Sequence, residues 1–354
     1  MTPIYITHTS AITPQHQEPN NLLQPLVLDK DARFTVIEPD YSTVIPPMQM
    51  RRMSRILKMG VYCGMDCIAQ ADIAQPDGII TGTGKGSMID TEKFVKELKQ
   101  YNEEAMNPTP FILSTYNAIN GAIALQTKST GYNQTFVHRG SSFEVSLYDA
   151  QLKMNNSEDK QQYLIGCFDE ITDEYFLVKS KIYYWKKDRQ ASINLLDQSS
   201  SSGSIAGEGA AFFMVTNKPE NALLTIHTID ILSKPAPGEV IYNINAALDK
   251  LGWKTQDVDL VVLGVNGDKD DQHFYDLVLE NLELEIPVLA FKHLCGEYET
   301  SGGFAIWLTS KLLNENPLPD EVWYTAGRPK NIPKKILYYN HYRGQNHNVM
   351  LIGK

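Results

Sequence analysis

Residues 135–145 read TFVHRGSSFEV. Thr135, Phe136 and Val137 have the branched and aromatic side chains that suit a pleated strand. Gly140, Ser141 and Ser142 supply a turn and a helix N-cap. Phe143, Leu147 and Ala150 then recur at helical spacing. A strand that ends in a sharp turn at a helix N-terminus presents free amides and the positive end of the helix dipole, which stabilise an anion. Enzymes hold nucleophiles at such elbows, so the surrounding pattern and the residues at the turn decide fold and reactivity together.

Outward from the elbow, strands and helices alternate. Upstream, IYITHTSAI and DGIITG read as strands, the second running into a glycine turn. Residues 48–72 read as one helix with an apolar stripe, DTEKFVKELKQYNEE as a capped helix, and STYNAINGAIALQTKS as another. Downstream, QQYLIGCFDEI is a buried strand, Ser199–Ser204 a polar loop, and GEGAAFFMVTNK a strand with a small-residue lead-in. The second half repeats the rhythm: LLTIHTIDILSK, VIYNINAALDKLGW, DLVVLGVNGD, a strand–loop–helix from IPVLAF to TSKLL, and a closing pair of strands in ILYYNHYRGQNHNVMLIGK. Alternation at these lengths predicts α/β layering around parallel or mixed sheets. Two halves of similar rhythm, without obvious identity, predict an internal duplication, residues 1–220 and 221–354.

A chain of 354 residues has room for a large core or two fused domains. It is 42% hydrophobic and 21% charged, an ordinary globular balance. The net charge of -10 argues against a nucleic-acid partner. The densest basic stretch, Lys179–Arg189, reads as a solvated strand pair or loop. No apolar run is long enough to span a bilayer. The start, MTPIYITHTSAITPQ, has neither a charged region nor a long apolar run of the secretory kind, so a cytoplasmic location is expected. Cys63, Cys67, Cys167 and Cys295 form neither a disulfide framework nor a zinc pattern. No metal and no cofactor is expected.

Five of these stretches, in this order, resemble a β-ketoacyl synthase: PPMQMRRMSRILKMGVYCGMDCIAQADI, TGTGKGS, NPTPFILSTYNAINGAIAL, GEGAAFFMV and FKHLCGEYETSGGFAIWL. The resemblance covers nearly the whole chain. It implies the thiolase-like fold, a five-layered α-β-α-β-α arrangement with two pseudo-symmetric halves and a dimer contact beside the elbow.

That family's chemistry uses a cysteine at the elbow to take the acyl chain as a thioester, and two histidines that assist decarboxylation and stabilise an enolate. Here Ser141 falls at the cysteine position, with Gly140 or Ser142 the alternatives one residue either way. Asn266 stands for the first histidine and Glu297 for the second. A carboxylate there repels an enolate. The family lysine is retained as Lys292, but the position of its carboxylate partner holds Ile306, and Tyr342–His347 replaces a glycine-rich loop.

Serine needs an adjacent base to become a nucleophile, and His138 is the nearest in sequence; the ordinary role of Ser141 is a helix cap. Glu297 with Asn266 has the residue types to orient a water or hydroxyl. Cys295 beside Lys292 and His293 reads as a buried core residue or, alternatively, a low-pKa thiol. Asp268, Asp270 and Asp271 read as a solvated turn. The resemblance thus implies a catalytically degenerate ketosynthase of the chain-length-factor class, of the aryl-polyene or flexirubin type. Such a subunit pairs with an active β-ketoacyl synthase, or with itself, and meets an acyl carrier protein. Asn117, Ala118, Ile119, Gly121, Phe136 and Phe143 are the candidates for tunnel or interface. The alternatives are an acyl hydrolase or acyltransferase using Ser141, or a free-standing acyl-binding homodimer.

Overall fold

The computed structural model describes residues 1–17, 22–27, 33–104, 106–155, 157–187, 192–196, 201–282, 286–314 and 318–354. The first half runs β1 (Ile4–Ile12), α1 (Pro47–Met50), α2 (Arg55–Gln70), β2 (Gly78–Gly82), α3 (Met88–Gln100), α4 (Pro108–Leu113), α5 (Ala118–Thr127), β3 (Tyr132–Phe136), α6 (Ser142–Met154), β4 (Gln162–Asp169), α7 (Asp173–Lys181) and β5 (Gly209–Thr216). The second runs β6 (Leu224–Ser233), α8 (Pro237–Lys250), β7 (Leu260–Leu263), α9 (Gln272–Glu280), β8 (Val288–Ala290), α10 (Lys292–Cys295), α11 (Gly302–Asn314), β9 (Lys335–Tyr342) and β10 (Asn346–Gly353).

Hydrogen bonding links the strands in the order β3-β2-β4-β5-β1-β6-β10-β9-β7-β8. The order is a repeat folded about its middle. In the first half β1 and β4 flank β5 antiparallel, and β4, β2 and β3 are parallel. In the second, β6 and β9 flank β10 antiparallel, and β9, β7 and β8 are parallel. The halves join where β1 meets β6, through Ile4↔Ile226, Tyr5↔Thr225 and Ile6↔Leu224.

Strand residues alternate between two faces, and here both faces are buried. Ile165, Phe213, Tyr338 and Met350 point into a central core with Phe143 and Leu147 of α6 and Phe304 and Leu308 of α11. Their neighbours Leu164 and Phe212 turn to a second core with α2 and α5. Leu337 and Val349 turn to a third with α8 and α9. The layers are therefore α2/α5, sheet, α6/α11, sheet and α8/α9, the five-layered thiolase-like arrangement. Helix α11, apolar nearly all round, belongs in the middle layer for that reason.

Three readings change in detail. The helix expected over 48–72 is broken: Ser54 adopts an extended backbone (ψ 168°) and α2 begins at Arg55. The basic stretch closes α7, a helix the sequence reading missed. Its Lys186 is buried rather than solvated, donating to the carbonyls of Ser201 (3.0 Å) and Gly267 (2.8 Å). Arg189, and Ser199 and Ser200 of the polar loop, lie outside the described residues. No described helix is long and apolar enough to cross a membrane.

Candidate functional site

The elbow forms as its sequence dictates, with β3, a single turn over Arg139–Ser141, then α6. The serines divide differently from expectation. Arg139 takes a left-handed backbone (φ 50°), and this brings Ser142, not Ser141, to close the turn. The Ser142 hydroxyl accepts from the His138 amide at 2.8 Å and donates to the Arg139 carbonyl at 2.7 Å. Ser141 makes no capping bond; its hydroxyl is buried without a hydrogen-bond partner. His138 is exposed; its carbonyl accepts from the Ser141 amide at 3.2 Å, but its ring does not bond the Ser141 hydroxyl.

Asn266, in the loop after β7, meets Lys292, the first residue of α10, and Glu297, just beyond the end of α10. Lys292 Nζ donates to both oxygens of Glu297 at 2.9 Å and to the His341 carbonyl at 2.9 Å. Asn266 Nδ2 donates to Glu297 Oε2 at 2.8 Å, and Asn266 Oδ1 accepts from the Asp268 amide at 3.0 Å. The lysine is thus not without a carboxylate: Glu297, five residues on, takes the role that Ile306 leaves empty. Burial raises the Glu297 carboxyl, and Lys292 opposes that rise. All three protons of the ammonium are committed, so it has none free for a substrate. The lead-in to β5 pins this loop: the Glu297 amide donates to the Ile205 carbonyl at 2.7 Å, and Gly207 donates back at 3.2 Å. Glu208 beside it clamps α2 by accepting from Arg55 at 2.6 and 2.7 Å.

The turn between β9 and β10 closes over the elbow. A side chain at Gly140 would collide with Tyr342. Asn348 Nδ2 donates to the Gly140 carbonyl at 2.9 Å, and Arg139 donates to Gln345 at 3.2 Å. Ser141, Asn266, Lys292 and Glu297 are each no more than 3% exposed. Lys292 binds the carbonyl of His341, next to the tyrosine that covers Gly140, so the hairpin bridges the elbow and the loops.

Two acidic features escaped the sequence reading. Glu144, in the first turn of α6, is buried beneath Tyr338, whose hydroxyl donates to it at 2.8 Å; burial pushes its carboxyl up to about 7. Asp169 accepts from Thr83 at 3.0 Å, from the Gly84 amide at 2.9 Å and from Thr300 at 2.7 Å. Burial, with Glu299 nearby, pushes it up to about 7. Glu299 in turn pairs with Lys85 at 2.8 Å and accepts from Tyr342 at 3.1 Å. Their only sequence signal was an acid in an otherwise apolar or small-residue run.

Cys295 is buried, and burial drives its thiol well above the usual value, which removes the low-pKa reading. Asp268 is buried and faces Arg343 at 3.5 Å, whereas Asp270 is exposed and Asp271 half-buried, so only part of that turn is solvated. No described group of three or more His, Cys, Asp or Glu side chains is placed to hold a metal ion. Of the tunnel or interface candidates, Ile119 and Phe143 lie in the chain's own core. Asn117 is exposed, and Ala118, Gly121 and Phe136 are half-buried.

Residues 30–196 match the family model described as the N-terminal domain of beta-ketoacyl synthase. No curated protein matches the chain. Among solved structures, the ishigamide ketosynthase/chain length factor superposes with a TM-score of 0.76 at 12% identity, covering 100% of this chain and 99% of that one. A beta-ketoacyl synthase from Burkholderia phymatum STM815 gives 0.75 at 14%, with 100% of each chain covered. A ketosynthase in complex with its chain length factor from Xenorhabdus doucetiae gives 0.76 at 16%, covering 99% and 98%. The chain is ketosynthase-like, and its fold is the thiolase-like fold of those proteins.

Proposed function

We propose that this ketosynthase-like chain is a non-condensing subunit, a chain-length factor that pairs with an active β-ketoacyl synthase and shapes the space into which the acyl chain grows. The observation that carries this reading is the buried Lys292–Glu297–Asn266 cluster. At the positions of a thiol and two imidazoles the chain has a hydroxyl without a base, an amide and an ion-paired carboxylate. None of these forms a thioester or stabilises an enolate. The closed hairpin keeps substrate from the elbow. What remains useful is the outer surface of α5 and β3, which is where a partner is expected. The pathway we infer is polyketide or fatty-acid-like pigment synthesis of the aryl-polyene or flexirubin kind, in the cytoplasm, with the growing chain delivered by an acyl carrier protein.

Co-expression with a catalytically intact ketosynthase encoded beside it tests the reading. A stable heterodimer is expected, active only as the pair, while this chain alone gives no condensation of carrier-bound malonyl and acyl groups. Two results overturn it. One is turnover by the isolated chain. The other is a mass increase on the Ser141 peptide after treatment with an acyl-thioester probe, which would establish the acyltransferase reading instead.

A further inference from the structure

The surface of α5 and β3 has a charge pattern unlike the rest of the chain. The chain carries 42 acidic against 32 basic residues, yet residues 106–143, which hold α4, α5, β3 and the elbow turn, contain no Asp or Glu. Lys128 and Arg139 are the only lysine and arginine in that stretch, and both are exposed. Neither forms an ion pair with any described residue; Arg139 donates to the neutral Gln345 at 3.2 Å. Around them Phe111, Ile112 and Leu125 are more than half exposed, and Asn133 and Gln134 are exposed amides. No carboxylate lines the pocket of about 870 Å³ that opens beside β3.

The topology decides where these two cations fall. Strand β3 ends the sheet and is bonded on one side only, to β2. Lys128 lies just before it and Arg139 just after it, so a cation stands at each end of an open edge. An open edge is a template for another strand. Two identical chains would meet there through the same patch on both, by a two-fold axis. An antiparallel pairing centred on Gln134 would bring Lys128 of one copy beside Arg139 of the other, and the reverse. Like charges facing each other across strands repel, and this face holds no acid to relieve them. A partner with carboxylates at the two ends of its own edge would gain two ion pairs instead.

We propose that this face selects its partner by charge: it rejects a second copy of this chain and takes a different protein whose matching edge carries carboxylates opposite Lys128 and Arg139. The proposal rests on the chain-length reading and decides against the homodimer that the sequence left open.

Sedimentation equilibrium of the isolated chain, at low and at physiological salt, tests the rejection. The parent is expected to stay monomeric at micromolar concentration. Lys128→Glu sets a carboxylate beside Arg139 of the second copy, twice per dimer. It should therefore strengthen self-association by about tenfold, a gain that salt weakens. Arg139→Glu should do the same, and the double reversal should return the chain to the parent's behaviour. Against the co-expressed ketosynthase the signs invert, and each single reversal should raise the dissociation constant about tenfold at low salt. A parent that is already a stable homodimer, single reversals that self-associate no better than the parent, or a heterodimer indifferent to both reversals overturns the inference and leaves the chain-length reading intact. A parent that does not bind the ketosynthase overturns the chain-length reading, and with it the choice of partner proposed here.

Discussion

The ammonium of Lys292 stands 2.9 Å from each carboxylate oxygen of Glu297, at 0% and 3% side-chain exposure. Removing one member of such a pair strands the other charge in a low-dielectric site. Lys292→Ala should therefore cost about 3–5 kcal/mol of stability, whereas Lys292→Met combined with Glu297→Leu should recover most of that. Urea unfolding of the three proteins measures it. A single variant as stable as the parent would mean that the pair is not ionised.

Ser141→Ala should change stability by well under the ~1 kcal/mol of a lost helix cap, because Ser142 makes the bonds that close the turn. Ser141→Cys alone should confer no condensation, since Tyr342 covers the elbow and Glu297 and Asn266 remain. The assay is carbon dioxide release from carrier-bound malonyl groups; release above the Ser141→Ala blank contradicts this expectation.

Glu144 titrates at about 7 when folded, against about 4.5 for the free side chain. Between those values the unfolded chain gives up its proton first. This residue's contribution to stability is therefore full below pH 4.5 and is lost as pH rises toward 7. Glu144→Gln keeps an oxygen for Tyr338 without the charge. It should be on the order of 3 kcal/mol more stable than the parent at pH 8 and nearly equal at pH 4.5. Thermal unfolding of both proteins across that range would show the gap widening with pH; a constant gap refutes the assignment.

Two glycines, on facing helices, separate core from surface. A methyl group on Gly60 of α2 would meet Ile119 at 2.5 Å, whereas one on Gly121 of α5 would meet nothing within 4 Å. Gly60→Ala should destabilise the fold, the overpacking of about 1–3 kcal/mol outweighing the helix-propensity gain of up to about 1. Gly121→Phe should leave the isolated chain's Tm within a degree or two. In the reconstituted pair it should shorten the product, as should Ala118→Phe. Product length by mass spectrometry decides whether this face borders the growing chain.

The fold was legible because its signals are local. The short strand-like runs of β4, β5, β9 and β10, the cap before α3 and the turn at Gly140 are each written within a few consecutive residues. The site was legible only as absences. Ser141, Asn266 and Glu297 announce what they are not, but nothing linear says that Glu297 folds back onto Lys292 or that Tyr342 lands on Gly140. The break before Arg55 turned on one serine's backbone angle within a helical pattern. The roles of Glu144 and Asp169 were not legible, because their surroundings depend on α11 and on Thr300, more than a hundred residues away.

The partners of β1 come late. Tyr5 pairs with Thr216, and Ile4 with Ile226. At about 5–20 residues per second on the ribosome, roughly ten to forty seconds pass before either neighbour exists. For that interval IYITHTSAI is an apolar strand with two open edges, a template for another nascent chain. The residues that join the two halves of the finished protein are thus the ones left waiting longest during its synthesis. Yield in the cell should therefore respond to chaperone supply and translation speed.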